Sequence, residues 1–119
     1  MDLESVKKVV GVVTQGRGSG LNNNLGQFVS SYKVQYSNDK NTWNIVNNIN
    51  NNIFEGNNSA SDTKKSNIFL NPITARYIRI YPQTFTNHIS MRVALLIPLV
   101  TTVPTVSTVP IITNPIIIK

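Results

Sequence analysis

Few side chains in this chain can do chemistry, and their spacing excludes more than it offers. There is one histidine, His88, and no cysteine. That removes a multi-histidine metal site, Cys-ligated zinc, a thiol nucleophile and a disulfide framework. The acids are Asp2, Glu4, Asp39, Glu55 and Asp62. They fall at the start of the chain, in a turn and in a loop, so no carboxylate pair is set up for general acid–base work. There is no nucleophile turn with a Ser-His-Asp arrangement and no phosphate-cradling Gly-Lys motif. The expectation is a protein that is not an enzyme and uses no metal or cofactor.

Recognition chemistry remains. The segment from Gly16 to Gln27 is rich in Gly and Asn and carries Arg17 at its start, with Leu21 and Leu25 as isolated apolar residues. Loops of this length in a compact domain are usually functional or disordered. Asn57-Asn58-Ser59 is an N-x-S sequon in a polar stretch, so Asn57 is a candidate glycosylation site on a secretory route. Lys and Arg number 11 against 5 acids, a formal charge of +6. The cations are dispersed: Lys7-Lys8 and Lys64-Lys65 are separated pairs, and no basic run is interleaved with aromatics. Nucleic acid is therefore not an expected partner, and the charge licenses only a general attraction to anionic surfaces.

The elements that must position these residues are short and apolar. The chain has 119 residues, 40% hydrophobic, 8% aromatic and only 13% charged. The charged share is about half the usual one, which argues against coiled coils and charge-rich disorder. Asparagine fills the gap, in Asn22 to Asn24, Asn47, Asn48 and Asn50 to Asn52. It bonds to nearby backbone and tolerates left-handed geometry, so many turns and few helices are expected. The start Met1-Asp2-Leu3-Glu4 does not resemble a secretion signal, and no apolar run is long enough for a transmembrane helix.

Val9-Val10-Gly11-Val12-Val13 reads as a buried strand, and Tyr32-Lys33-Val34-Gln35-Tyr36 alternates with period two. Ser37 to Asn41 is a turn cluster, after which Trp43-Asn44-Ile45-Val46 completes a hairpin, with Trp43 as a core anchor. Ile53-Phe54 is a short strand, and Ile68-Phe69-Leu70 runs into a turn at Asn71-Pro72. Ala75 to Tyr81 is a long strand ended by Pro82, with Arg79 packing its stem over Tyr77 and Tyr81. In the last strand Ile89, Met91, Val93 and Leu95 share a face, and Arg92 is expected to be structural. Beyond Ile97 the composition turns to Val, Thr, Ile and Pro, with Thr-Val-Pro at 102–104 and 108–110. The prolines exclude a helix or a central strand there.

The order of these segments resembles the discoidin family, also called the coagulation factor V/VIII type C domain. The residues that carry the resemblance are Val9 to Arg17, Phe28 to Asp39, Thr42-Trp43, Ile53 to Asn57, Ala75 to Pro82 and Ile89 to Val93. Together they cover residues 2–96. The resemblance implies an all-β fold, an antiparallel β-sandwich jelly roll of the galactose-binding-like superfamily. Further strands and binding loops precede the segment matching Asp2-Leu3 in the family, so the expected domain, 1–96, is a partial one with its first strands missing. Residues 97–119 are expected to be a Thr/Pro/Ile-rich linker or disordered tail.

The resemblance also implies function: a non-catalytic extracellular binding and adhesion module. The expected ligand is carbohydrate of galactose type on a cell surface or matrix. The alternatives are anionic phospholipid and an accessory targeting role within a larger secreted enzyme or receptor. By its place in the family pattern the loop 16–27 is a binding loop, with Arg17, Gly18, Leu21, Asn23, Leu25 and Gln27 as its ligand-binding residues. Arg17 would give paired hydrogen bonds to sugar hydroxyls or a carboxylate, with Gln27 orienting it. Leu21 and Leu25 would serve a membrane interface in the phospholipid reading. Where the family has a Glu after the last-strand Arg this chain has Ala94, so Arg92 needs another partner.

Overall fold

The computed structural model describes residues 1–18 and 26–98, and the backbone of a further strand at 113–117. Seven strands form in chain order: β1 (Asp2–Gln15), β2 (Phe28–Ser37), β3 (Asn44–Ile45), β4 (Phe54–Glu55), β5 (Lys65–Thr86), β6 (Arg92–Pro98) and β7 (Thr113–Ile117). Among the described residues there is no helix. Every ladder is antiparallel, in the order β3-β2-β5-β1-β6-β7, with β4 also paired to β2.

The expected hairpin forms, with Gln35 opposite Ile45 and Tyr36 opposite Asn44. Its turn is held by Asp39, whose Oδ1 accepts from the amides of Asn41 and Thr42, both at 2.8 Å. The asparagines do the turn work expected of them: Asn51, Asn52 and Asn87 all take positive φ.

The prolines act differently from expectation. Asn71-Pro72 does not end a strand. It lies within β5, where the ladder jumps from Val9↔Ile73 to Gly11↔Ile68. The residues looped out there include Pro72, which has no N–H to give the ladder. Pro82 likewise fails to stop β5, which runs on to Thr86, and the register with β2 shifts beside it at Ser31 and Tyr32. That shift also explains the burial pattern of β2. Val29 and Tyr32 both point inward although they are three residues apart. A bulge between them moves the alternation by one position.

These irregularities curve the sheet around one core. Leu3, Val9, Val12, Val29, Tyr32, Val34, Val46, Phe54, Phe69, Ile73, Ala75, Ile78 and Leu95 meet in a single cluster. Its large members are Tyr32 stacked on Phe54 at 5.7 Å, and Phe69 tilted against Phe54 at 5.7 Å. The Tyr32 hydroxyl accepts a hydrogen bond from Asn67 Nδ2 at 3.0 Å. Burial pushes the phenol pKa up to about 12. Trp43 is outside this core. It is half-buried and its ring is covered by the Arg79 guanidinium at 3.9 Å. Its indole N–H donates to Lys40 O, a polar tie that the turn provides and the core does not. Ile89 also departs from the expected face, being half exposed ahead of β6.

The boundary expected at residue 96 falls inside β6. The expected linker or tail, 97–119, lies outside the described residues at 99–112 and 118–119. At 113–117 the backbone is a strand, paired with β6 from Ala94↔Ile117 to Pro98↔Thr113. It lies at the sheet edge, where Pro115 is tolerated.

Candidate functional site

Strand β1 ends at Gln15, and the chain must turn there toward β2. Gly16 makes this possible. A Cβ at this position would lie 2.5 Å from Ser59 O and 2.6 Å from Ala60 Cα, so only glycine lets β1 pass the 55–63 loop this closely. Gly18 then takes φ +106° and donates its amide to Ala60 O at 2.7 Å. The two ends of the 16–27 loop are clamped together by Arg17 N donating to Gln27 O at 3.1 Å.

Side chains repeat this clamp. Arg17 Nη1 donates to Gln27 Oε1 at 3.0 Å. Gln27 is 8% exposed, and the same oxygen accepts from Ser90 Oγ at 3.1 Å. Ser90 Oγ in turn lies 3.0 Å from His88 Nδ1. A buried amide thus fixes the direction of an exposed guanidinium. Among the described residues no carboxylate forms an ion pair with Arg17.

Arg92 closes the other side. Its Nε donates to Gly16 O at 2.8 Å and its Nη2 to Asp62 Oδ1 at 2.7 Å. Asp62 O accepts from Gln15 Nε2 at 2.6 Å. The partner that Arg92 needed is therefore Asp62, in place of a carboxylate on its own strand. Asn57 locks the loop from below. It is 7% exposed, and its Nδ2 donates to Thr14 O at 3.0 Å and Thr63 O at 3.2 Å. Both amide protons are thus committed inside the fold. The candidate glycosylation nitrogen is a structural donor, with none of its protons directed to solvent.

Of the residues singled out by sequence, Arg17, Gly18 and Gln27 come together at the loop base. Leu21, Asn23 and Leu25 lie outside the described residues. Sequence reasoning missed Ser90 and His88 as supports of Gln27, and Asp62 as the ion-pair partner of Arg92. The ladder would have revealed the last. Gln15 lies opposite Arg92, so the Arg92 side chain must reach the residue after Gln15.

A Gly-built loop whose base carries an oriented guanidinium can receive hydroxyl or anionic oxygens. Among the described residues no three His, Cys, Asp or Glu side chains converge to hold a metal ion. The family model for the F5/8 type C domain matches residues 1–95. The chain belongs to the F5/8 type C (discoidin) domain family. Lactadherin of Rattus norvegicus is 38% identical over 99 residues, covering 81% of this chain and 22% of the relative. Discoidin-2 of Dictyostelium discoideum is 42% identical over 89 residues, covering 75% of this chain and 32% of the relative. The chain therefore spans no more than about a third of these relatives. The solved structure of discoidin II of Dictyostelium discoideum superposes with a TM-score of 0.69 at 37% identity, over 85% of this chain and 37% of that one. The discoidin-type fold is thus the galactose-binding-like jelly roll expected from sequence.

Proposed function

We propose that this discoidin-type chain is a non-catalytic binding and adhesion module, acting outside the cell, whose ligand is carbohydrate of galactose type. Membership of the family supports a binding module. The observation that carries the finer reading is Arg17: exposed, unpaired with any described carboxylate, and aimed by the buried Gln27. A planar guanidinium held in one direction matches two neighbouring hydroxyls of a sugar ring better than a flexible ammonium would. Because Gln27 and Ser90 fix that direction beforehand, less side-chain entropy is lost on binding.

The test is a glycan array run beside anionic phospholipid vesicles, with Arg17→Ala as the probe. Loss of charged hydrogen bonds of about 1.5–3 kcal/mol predicts a drop of about tenfold or more in sugar affinity. Unchanged sugar binding in Arg17→Ala removes Arg17 from the site. Vesicle binding without any glycan binding moves the ligand to phospholipid and the site toward Leu21 and Leu25.

A further inference from the structure

The outer face of the β2–β5 ladder carries a second set of recognition groups. Gln35 lies opposite Arg79, Lys33 opposite Tyr81 and Ser37 opposite Tyr77. Directly opposed residues share a sheet face, so Lys33, Gln35, Tyr77, Arg79 and Tyr81 lie on the face away from the core, while Ser37 at its end is buried with its hydroxyl tied into the 37–40 turn. Arg79 is held in three ways. Its guanidinium lies 3.9 Å over the Trp43 ring and 5.1 Å over Tyr81, and its Nε donates to Gln35 Oε1 at 2.7 Å. No described residue accepts a hydrogen bond from its Nη1 or Nη2. A guanidinium fixed by stacking on one side and by Nε on another, with its terminal fork unused, is an anion-receiving group.

The surrounding charges favour an anion. Lys40 Nζ lies 5.1 Å from the Tyr77 ring and Arg76 lies 5.2 Å from it on the same ring. The acids near this area are Asp2, Glu4 and Asp39, and Glu4 lies close enough for its charge to act on Arg76. Asp2 is paired with Arg76 at 3.1 Å, and Asp39 Oδ1 is taken up by its own turn. Lys33 and Arg79 have no described carboxylate within ion-pair distance, and Lys40 feels at longer range only the Asp2 charge that Arg76 already pairs. This face also lies well away from the loop base, since Gln35 is eight residues along the chain from Gln27, up to about 27 Å at about 3.4 Å each.

We infer that this face binds an acidic polysaccharide through its sulfates or carboxylates, with Arg79 at the centre and Lys33 and Lys40 flanking it. A polysaccharide fits better than a nucleic acid, because the cations already cover aromatic faces that bases would need for stacking.

The experiment measures binding of a heparin oligosaccharide to the full chain by calorimetry at physiological ionic strength. Lys33→Gln with Lys40→Asn is compared with Lys8→Gln with Lys64→Gln, which removes the same charge from exposed sites elsewhere. The first pair is expected to weaken binding about tenfold and the second no more than about twofold. Arg79→Gln is expected to lose at least as much as the first pair. If that variant does not melt cooperatively, the two lysine pairs decide alone. Equal losses in both pairs, or no binding by the parent chain, overturn the inference. So does a single-stranded oligonucleotide that competes as strongly as heparin through the same residues.

Discussion

Replacing Asn57 by Asp tests whether a buried amide locks the 55–65 loop beneath the base of the 16–27 loop. Asn57 Nδ2 gives its protons to Thr14 O and Thr63 O, and its backbone N–H donates to Val29 O at 3.0 Å. Asn57→Ala deletes two side-chain hydrogen bonds at about 1 kcal/mol each, so about 2 kcal/mol. Its Oδ1 is buried without a described partner, so deleting that atom recovers part of the loss. Asn57→Asp is worse in kind, because it points acceptors at two carbonyls and adds a buried charge. The folded state then resists ionisation, and the carboxyl pKa rises above its unfolded value of about 3.9. Below that value both states are protonated, and the cost stays near that of the alanine variant. As pH climbs, the unfolded state ionises first, and stability falls by about 1.4 kcal/mol per pH unit until the folded group ionises too. A rise of about two units adds about 3 kcal/mol at neutral pH, for a total near 5 kcal/mol. Urea unfolding of the parent, Asn57→Ala and Asn57→Asp at about pH 4 and about pH 7 measures each term. The expected result is a pH-dependent gap for Asp and a flat one for Ala. An Asp variant as stable as the parent at neutral pH refutes the reasoning. So does full glycan occupancy at Asn57 in folded, secreted protein, because a glycan replaces one of the committed protons.

Three further outcomes follow from the same geometry. Gly16→Ala brings a Cβ to 2.5 Å from Ser59 O, and both near contacts are backbone, so it should cost about 2–4 kcal/mol and lower the melting temperature sharply. In a double-mutant cycle the exposed Arg92–Asp62 pair should show a coupling of only about 0.5–1 kcal/mol, yet Arg92→Ala should cost more than Asp62→Ala, because it also releases Gly16 O. The amides of Thr42 and Asn41 and the Ser37 hydroxyl hold the Asp39 carboxyl below its ordinary value of 3.8. Its contribution is therefore present above that value and lost as pH falls through the lower folded one. Asp39→Asn should flatten the acid limb of a pH-stability curve.

Local features of this chain were readable because their signal is local. The alternation in Tyr32 to Tyr36 and the turn cluster at Ser37 to Asn41 predict a hairpin from adjacent residues alone, and the hairpin forms. The readings that failed depended on partners far along the chain. Pro72 and Pro82 end strands by propensity, but long ladders on either side carry β5 through both by placing register shifts beside them. Trp43 has the size of a core residue, but Arg79, thirty-six residues away, offers it a cation on the surface.

The loop base shows how these long-range contacts become predictable. Arg17 and Gln27 were readable because they bracket one loop, and the structure joins them by both backbone and side chain. Ser90 was not, because it is 63 residues from Gln27 and meets it only when β6 lies beside β1. Yet that one ladder places Arg92 opposite Gln15. With the register given, Arg92 must stand next to Gly16, and an arginine at a chain reversal finds a free carbonyl and the nearest carboxylate. The chemistry of this site is thus fixed at two levels. Glycine permits the close pass of the backbone, and strand register decides which charged side chains reach it.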